Sequence, residues 1–183
     1  MTASQVLLTI EDIVRRSHYQ NAQRTLFRLI QLGVIPIINE NDSVGTQEIR
    51  FGDNDRLAAL VSHLIGADLL ILITDIDALY DSNPSAPEAK AIHEVRDINS
   101  LDETTLGGSN SKVGSGGMLT KILAAKRALR SGAHTVIVSG REPQVLCRLA
   151  AGERLGTHLK ADDRPIAARK AWLADHLQVR GKL

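Results

Sequence analysis

The chain has 183 residues, 43% of them hydrophobic and 23% charged, which suits one folded domain with a real core and excludes a disordered polyelectrolyte. Its 22 Lys and Arg nearly cancel its 21 Asp and Glu, so no whole-molecule field would draw it onto nucleic acid or an anionic membrane, and any anion site must be local. The single cysteine excludes an internal disulfide, no Cys/His spacing resembles a metal site, and the apolar runs fall far short of the roughly 20 residues of a membrane helix.

From Glu11 to Leu32 apolar residues recur at helical spacing (Ile13 and Val14, then Leu26, Leu29 and Ile30), which predicts helix in two pieces, with Gly33 as its C-cap glycine. Val34-Ile35-Pro36-Ile37-Ile38 is apolar throughout and β-branched, the pattern of a strand buried on both faces of a parallel sheet, and polar residues Asn39 to Gln47 follow as a loop. Asp53 is placed to cap a helix over 54–65 that Gly66 closes, and Leu69 to Ile73 repeats the continuous apolar strand. A loop-rich middle carries Pro84, Pro87, Gly107, Gly108, Gly114, Gly116 and Gly117. Then come a helix over 118–130, Gly132, a strand over 135–138 and a helix over 143–151, within which Cys147 is expected to be buried and inert. From Lys160 onward charged residues crowd a segment with few apolar anchors, which reads as a linker, so we expect a domain over 1–160 and a tail over 161–183. Alternating strands and helices imply an α/β fold, a three-layer αβα sandwich around a mostly parallel open sheet. With no basic stretch followed by an apolar core at the N-terminus, a cytoplasmic protein is expected.

In such sheets ligands bind beyond the carboxyl ends of the strands. Asn39-Glu40-Asn41-Asp42 leaves its strand as four polar side chains; it is either a surface loop or a site where Asn donates to a carboxylate and Asp accepts from an ammonium group, a pairing that suits an amino acid. Gly52-Asp53-Asn54-Asp55 opens a helix, where one carboxylate suffices as a cap; two carboxylates flanking an amide exceed that need, and the helix N-terminus also offers N–H groups to an anion. Thr74-Asp75-Ile76-Asp77 follows the strand over 69–73 and is either a turn or a ligand contact. Gly114 to Lys121 is a glycine-rich turn running into a helix, able to approach phosphate oxygens closely and to bring Lys121 one turn in. It departs from the P-loop, whose lysine directly follows a glycine, because Lys121 follows Thr120. The six histidines are scattered and read as structural or surface residues.

Taken together, four segments resemble the amino acid kinase family: Val34 to Asp42, Phe51 to Asp55, Leu72 to Asp75 with Leu79-Tyr80, and Gly114 to Met118 with Thr120-Lys121. Gly140-Arg141-Glu142-Pro143 and Arg169-Lys170-Ala171-Trp172 resemble later landmarks, and the Asn39–Asp42 and Gly52–Asp55 pair is similar to the branch that phosphorylates the side-chain carboxylate of glutamate in proline synthesis. The resemblance implies that Asp42 and Asn54 hold glutamate with Asn39, Asp53 and Asp55 around them, and that Thr74 and Asp75 contact the nucleotide. It further implies that Ser115, Gly116, Gly117, Met118, Leu119 and Thr120 cover the ATP phosphates, with Lys121 as the catalytic cation. ATP with Mg2+, a homo-oligomer and feedback inhibition by proline are implied as well. Phosphoryl transfer to an already ionised carboxylate asks for positioning and cations more than for acid–base groups, which suits a chain without a catalytic histidine or cysteine pattern. The family opens with a strand and a lysine-bearing Gly/Ser loop that have no counterpart ahead of Met1 to Ser4, and many members continue into a PUA domain, so the resemblance implies a kinase domain incomplete at its N-terminus and without PUA. The alternative function is a non-catalytic chain that binds nucleotide, glutamate or proline. A sister kinase for aspartate, N-acetylglutamate, carbamate or UMP is a further alternative, which the two glutamate-type clusters oppose.

Overall fold

The computed structural model describes residues 1–43, 53–82, 86–101 and 115–161; the side chains of Asp53, Ser115 and Gly116 fall outside that description. Of the sequence expectations, the loop beyond residue 43, Phe51-Gly52, Pro84, the glycines at 107, 108 and 114, Arg169 to Trp172 and the tail over 162–183 lie outside the described residues.

The chain opens with a strand the composition of Thr2 to Leu8 does not announce, β1 (Thr2–Leu8). It leads through α1 (Ile10–Val14) and α2 (Arg16–Gln31) into β2 (Val34–Glu40), which pairs with β1 in parallel from Thr2 opposite Val34 to Leu8 opposite Glu40. This is a βαβ unit, and the two-piece helix expected between Glu11 and Leu32 is its crossover. Thr9 starts α1 with a capping box: its hydroxyl accepts from the Asp12 N–H at 3.2 Å, and the Asp12 carboxylate accepts from the Thr9 N–H at 2.9 Å. Gly33 ends α2 at φ +70°, where its N–H reaches Ile30 O at 2.9 Å.

Helix α3 (Asp53–Ile65) then leads past Gly66, φ +62°, into β3 (Leu69–Thr74). A hairpin of β4 (Leu79–Tyr80) and β5 (Ala91–Ile92), the short strand β6 (Glu94–Val95) and a 3-10 turn over Ile98–Ser100 fill the middle. Helix α4 (Ser115–Arg130), β7 (His134–Ser139), α5 (Val145–Ala150) and β8 (Thr157–Leu159) complete the described elements. The main sheet has the order β3-β7-β8-β6, parallel at β3/β7 and β6/β8 and antiparallel at β7/β8. The result is the α/β architecture with a mostly parallel sheet that the alternation implied.

Strand β7 shows the three layers. Ile137 faces a core with Ala59 of α3 and Ile122, Ala124, Ala125 and Ala128 of α4, while Val136 and Val138 face Val145 and Leu149 of α5 on the other side. Helix α3 joins the two sheets: Leu57 and Leu60 pack with Leu8 and Ile13 of the opening unit, and Ala59 lies in the main core. Alanines on both sides let α3 and α4 come close, and that approach sets the geometry of the site below.

Three expectations are corrected. Strand β2 is not buried on both faces: it alternates, with Ile35 44% and Ile37 58% exposed, because among the described residues only one of its apolar faces is covered. Cys147 is exposed, since α5 turns only Val145 and, one turn on, Leu149 toward the sheet. That helix also begins two residues later than expected, because Gln144 holds a left-handed φ of 52° that ends any helical run from Pro143.

Candidate functional site

The structure brings two of the sequence clusters into contact. Lys121, seventh residue of α4, points its ammonium at the Asp55 carboxylate in the first turn of α3, with Nζ 3.0 Å from Oδ2 and 3.2 Å from Oδ1. The pair is largely withdrawn from solvent, the side chains being 15% and 18% exposed. The neighbouring Thr120 hydroxyl lies 2.8 Å from Asp55 Oδ2 and 2.9 Å from Gly117 O. Consecutive residues of one helix thus grip one carboxylate of the other. At this depth water screens the charges poorly, so the pair holds its geometry more firmly than a surface ion pair would.

The sequence reading placed Asp55 in the loop around the acceptor and Lys121 over the phosphates, with nothing to join them. The joint is tertiary, depending on Ala58 and Ala59 meeting the alanine-rich face of α4. Asn39, Asp42 and Asn54 are exposed, and among the described residues no hydrogen bond ties them to this centre. Asn39 pairs with Leu7 of β1 and Glu40 closes β2 opposite Leu8, and the Asn41 N–H donates to Leu8 O at 2.9 Å, so backbone pairing carries the first two polar residues within the strand and fixes where the run leaves it.

At the carboxyl end of β3, Thr74 sits beside Ser139 of β7 and its hydroxyl donates to Asp75 at 3.2 Å. The Gly140 N–H donates to Thr74 O at 2.8 Å, and a Cβ on Gly140 would stand 2.8 Å from the Ile73 side chain. Only glycine lets the chain turn so close to this strand end. Beyond it the Tyr80 hydroxyl reaches the Asp77 carboxylate at 3.0 and 3.1 Å, and that bond raises the phenol pKa above its ordinary value. Asp77 and Tyr80, which the sequence places in the segments around this strand end, are thus joined to each other by a hydrogen bond at this edge.

Along α4, Gly117 is exposed and room is left around its Cα, while Met118 turns back against the main core. A glycine-rich helix start is thereby anchored from below by Met118 and held laterally through Thr120 and Lys121. Among the described residues no group of three or more His, Cys, Asp or Glu side chains could ligate a metal ion. No described helix is long and apolar enough to cross a membrane.

The fold, as distinct from the site, has counterparts among known proteins. The family model described as "Amino acid kinase family" matches residues 1–139. Glutamate 5-kinase of Nitrosospira multiformis is 56% identical over 182 residues, covering 99% of this chain and 49% of that protein. Glutamate 5-kinase of Methylobacillus flagellatus is 58% identical over 181 residues, covering 98% of this chain and 49% of that protein. The chain therefore spans about half the length of the curated relatives it matches. Among solved structures, UMP kinase from Bacillus anthracis superimposes with a TM-score of 0.58 at 14% identity over 88% of this chain and 59% of its own. Isopentenyl phosphate kinase from T. acidophilum does so at 0.56 and 16%, over 87% and 60%. These two show the fold alone.

Proposed function

The chain belongs to the amino acid kinase family, and from that premise we propose that it carries acceptor and nucleotide machinery of a glutamate 5-kinase, transferring the γ-phosphoryl group of ATP to the side-chain carboxylate of L-glutamate. The observation that carries this reading is the Asp55–Lys121 pair, because it sets a cation between the cluster assigned to the acceptor and the helix start assigned to the phosphates. Relatives bearing that name at 56% and 58% identity support the choice of acceptor.

In this reading a carboxylate oxygen of glutamate attacks the γ-phosphorus, the bond from that phosphorus to the β-phosphate oxygen breaks, and ADP leaves with the electron pair. No proton need move. Asp42 and Asn54, aided by Asn39 and Asp53, orient glutamate; Thr74 and Asp75 hold the nucleotide at the end of β3. The backbone N–H groups of the first turn of α4, from Ser115 to Gly117, have no intrahelical acceptor and offer donors to the phosphates. Lys121 offsets charge on the transferring group, and Asp55 keeps its ammonium aimed. Mg2+ enters as the partner of ATP, where it supplies further charge neutralisation; no step is assigned to it on protein ligands. A kinase domain over 1–160 with a tail over 161–183, a cytoplasmic location, a homo-oligomer and inhibition by proline belong to the same reading.

The test is acceptor-dependent release of ADP from ATP with glutamate, aspartate, N-acetylglutamate, carbamate and UMP compared, the glutamyl acyl phosphate being trapped as the hydroxamate. Product with glutamate alone is the expected result. Preference for another acceptor would sink the assignment, and ligand binding by folded chain without product would favour the non-catalytic reading.

A further inference from the structure

We propose that Thr120 is a positioning residue whose hydroxyl fixes the Asp55 carboxylate that holds Lys121, rather than a residue that contacts nucleotide. The inference rests on the reading above for its catalytic meaning, but not for its geometry. A hydroxyl has one proton to give, and Thr120 has two acceptors in reach, Asp55 Oδ2 at 2.8 Å and Gly117 O at 2.9 Å. The carboxylate is the charged acceptor and forms the stronger bond. Oδ2 then receives both Thr120 and Lys121, while among the described residues Oδ1 receives Lys121 alone at 3.2 Å.

The consequence follows from what each group can do alone. Lysine carries a compact charge on a flexible four-carbon stem, so it goes where its acceptor stands. Asp55 can turn about the bond that carries its carboxylate, and an ammonium would follow it. The Thr120 hydroxyl removes that freedom from the adjacent residue of the same helix, so carboxylate and ammonium are fixed in one frame. A threonine serving only its own helix would bond Gly117 O and leave Asp55 alone.

The experiment needs no turnover. In this chain, the rate at which an acetylating reagent modifies Lys121 is measured by peptide mass spectrometry against the other lysines, in the wild type and in Thr120→Val, Thr120→Ala and Thr120→Ser, with thermal melting alongside. Loss of the hydroxyl is expected to raise Lys121 labelling about threefold or more in Val and Ala, with Ser restoring the wild-type rate and Tm little changed among the three. Unchanged labelling in whichever of the Val and Ala variants folds, or failure of Ser to restore it, would overturn the proposal. Where hydroxamate is formed, Thr120→Val is expected to lower kcat about tenfold with the ATP KM within about twofold; a raised ATP KM at unchanged kcat would make Thr120 a nucleotide contact instead. If no acceptor is phosphorylated yet labelling responds as expected, the functional reading falls and the positioning role stands.

Discussion

Among the described residues Lys121 and Asp55 form an ion pair at 3.0 Å, and a substitution at either acts on stability and on chemistry at once. Lys121→Ala removes the ammonium and leaves the Asp55 carboxylate, 18% exposed, with the Thr120 hydroxyl as its remaining partner among the described residues. A fully buried pair broken this way loses about 3 to 5 kcal/mol; with some solvent access the loss here should be about 2 kcal/mol, read from urea denaturation. Turnover should fall by orders of magnitude while the far-ultraviolet circular dichroism stays that of the folded chain. Near-normal turnover would remove Lys121 from the reaction. Asp42 is a different case, because its exposed side chain can be shortened with a stability change within about 0.5 kcal/mol. Asp42→Ala is expected to raise the glutamate KM far more than the ATP KM, and equal effects on both would mean that the loop after β2 does not bind the acceptor.

At the scale of elements, ends and joints decide what the sequence could disclose. β2, β3 and β7 were legible because short continuous apolar runs set off by glycines leave few other conformations, and Gly33 and Gly66 take the left-handed φ expected of helix stops. β1 was not, since Thr2, Ser4 and Gln5 dilute its pattern and its identity comes from the partner strand alongside. Candidate site residues can be proposed one by one from the sequence, whereas the Asp55–Thr120–Lys121 joint cannot, because it rests on how α3 packs against α4. The capping box at Thr9 went unread for a smaller reason: it lies directly after the unrecognised strand. Burial raises the pKa of Asp12, but bonds from the Thr9 N–H, the Thr9 hydroxyl and His18 outweigh it, and the carboxyl lies below its ordinary value. A folded pKa below the unfolded one means stability that is present above about pH 4 and lost as pH falls through the folded value. Thr9→Ala should therefore cost about 1 kcal/mol at pH 7 and less at pH 3, measured by thermal melts at both pH values; an equal cost at both would show that the Asp12 charge plays no part. Gly156 is a stiffer joint. At φ +70° a Cβ there would lie 2.1 Å from Ile137 O, where the chain enters β8, so Gly156→Ala should cost about 3 kcal/mol or more in the same melts.

Over the whole molecule, the continuous apolar strands promise more burial than the described chain provides. Each such strand carries two apolar faces. On β7 both are used, Ile137 against α3 and α4, Val136 and Val138 against α5. On β2 only one is: Ile38 packs inward toward Leu8 and Ile13, and Ile35 and Ile37 stand 44% and 58% exposed. β3 lies between the two cases: Leu70 and Leu72 are inside, Ile71 packs on the other face against the cluster of Val136, Val138 and Val145, and Leu69 and Ile73 near the strand ends are 45% and 49% exposed. Isoleucines of identical chemistry thus have opposite energetic roles, and paired substitutions can separate them. Ile137 is fully buried, so Ile137→Ala should cost about 2 to 5 kcal/mol through lost transfer energy and the cavity it leaves. Ile37→Thr keeps the β-branched shape and exchanges a methylene-bearing arm for a hydroxyl that water can reach, so it should change stability by less than about 1 kcal/mol. Urea denaturation at low protein concentration reads both, and unchanged m-values would confirm that neither variant alters the surface exposed on unfolding. Should Ile37→Thr prove as costly as Ile137→Ala, the outer face of β2 would have to be covered in the folded chain, contrary to the exposure found here.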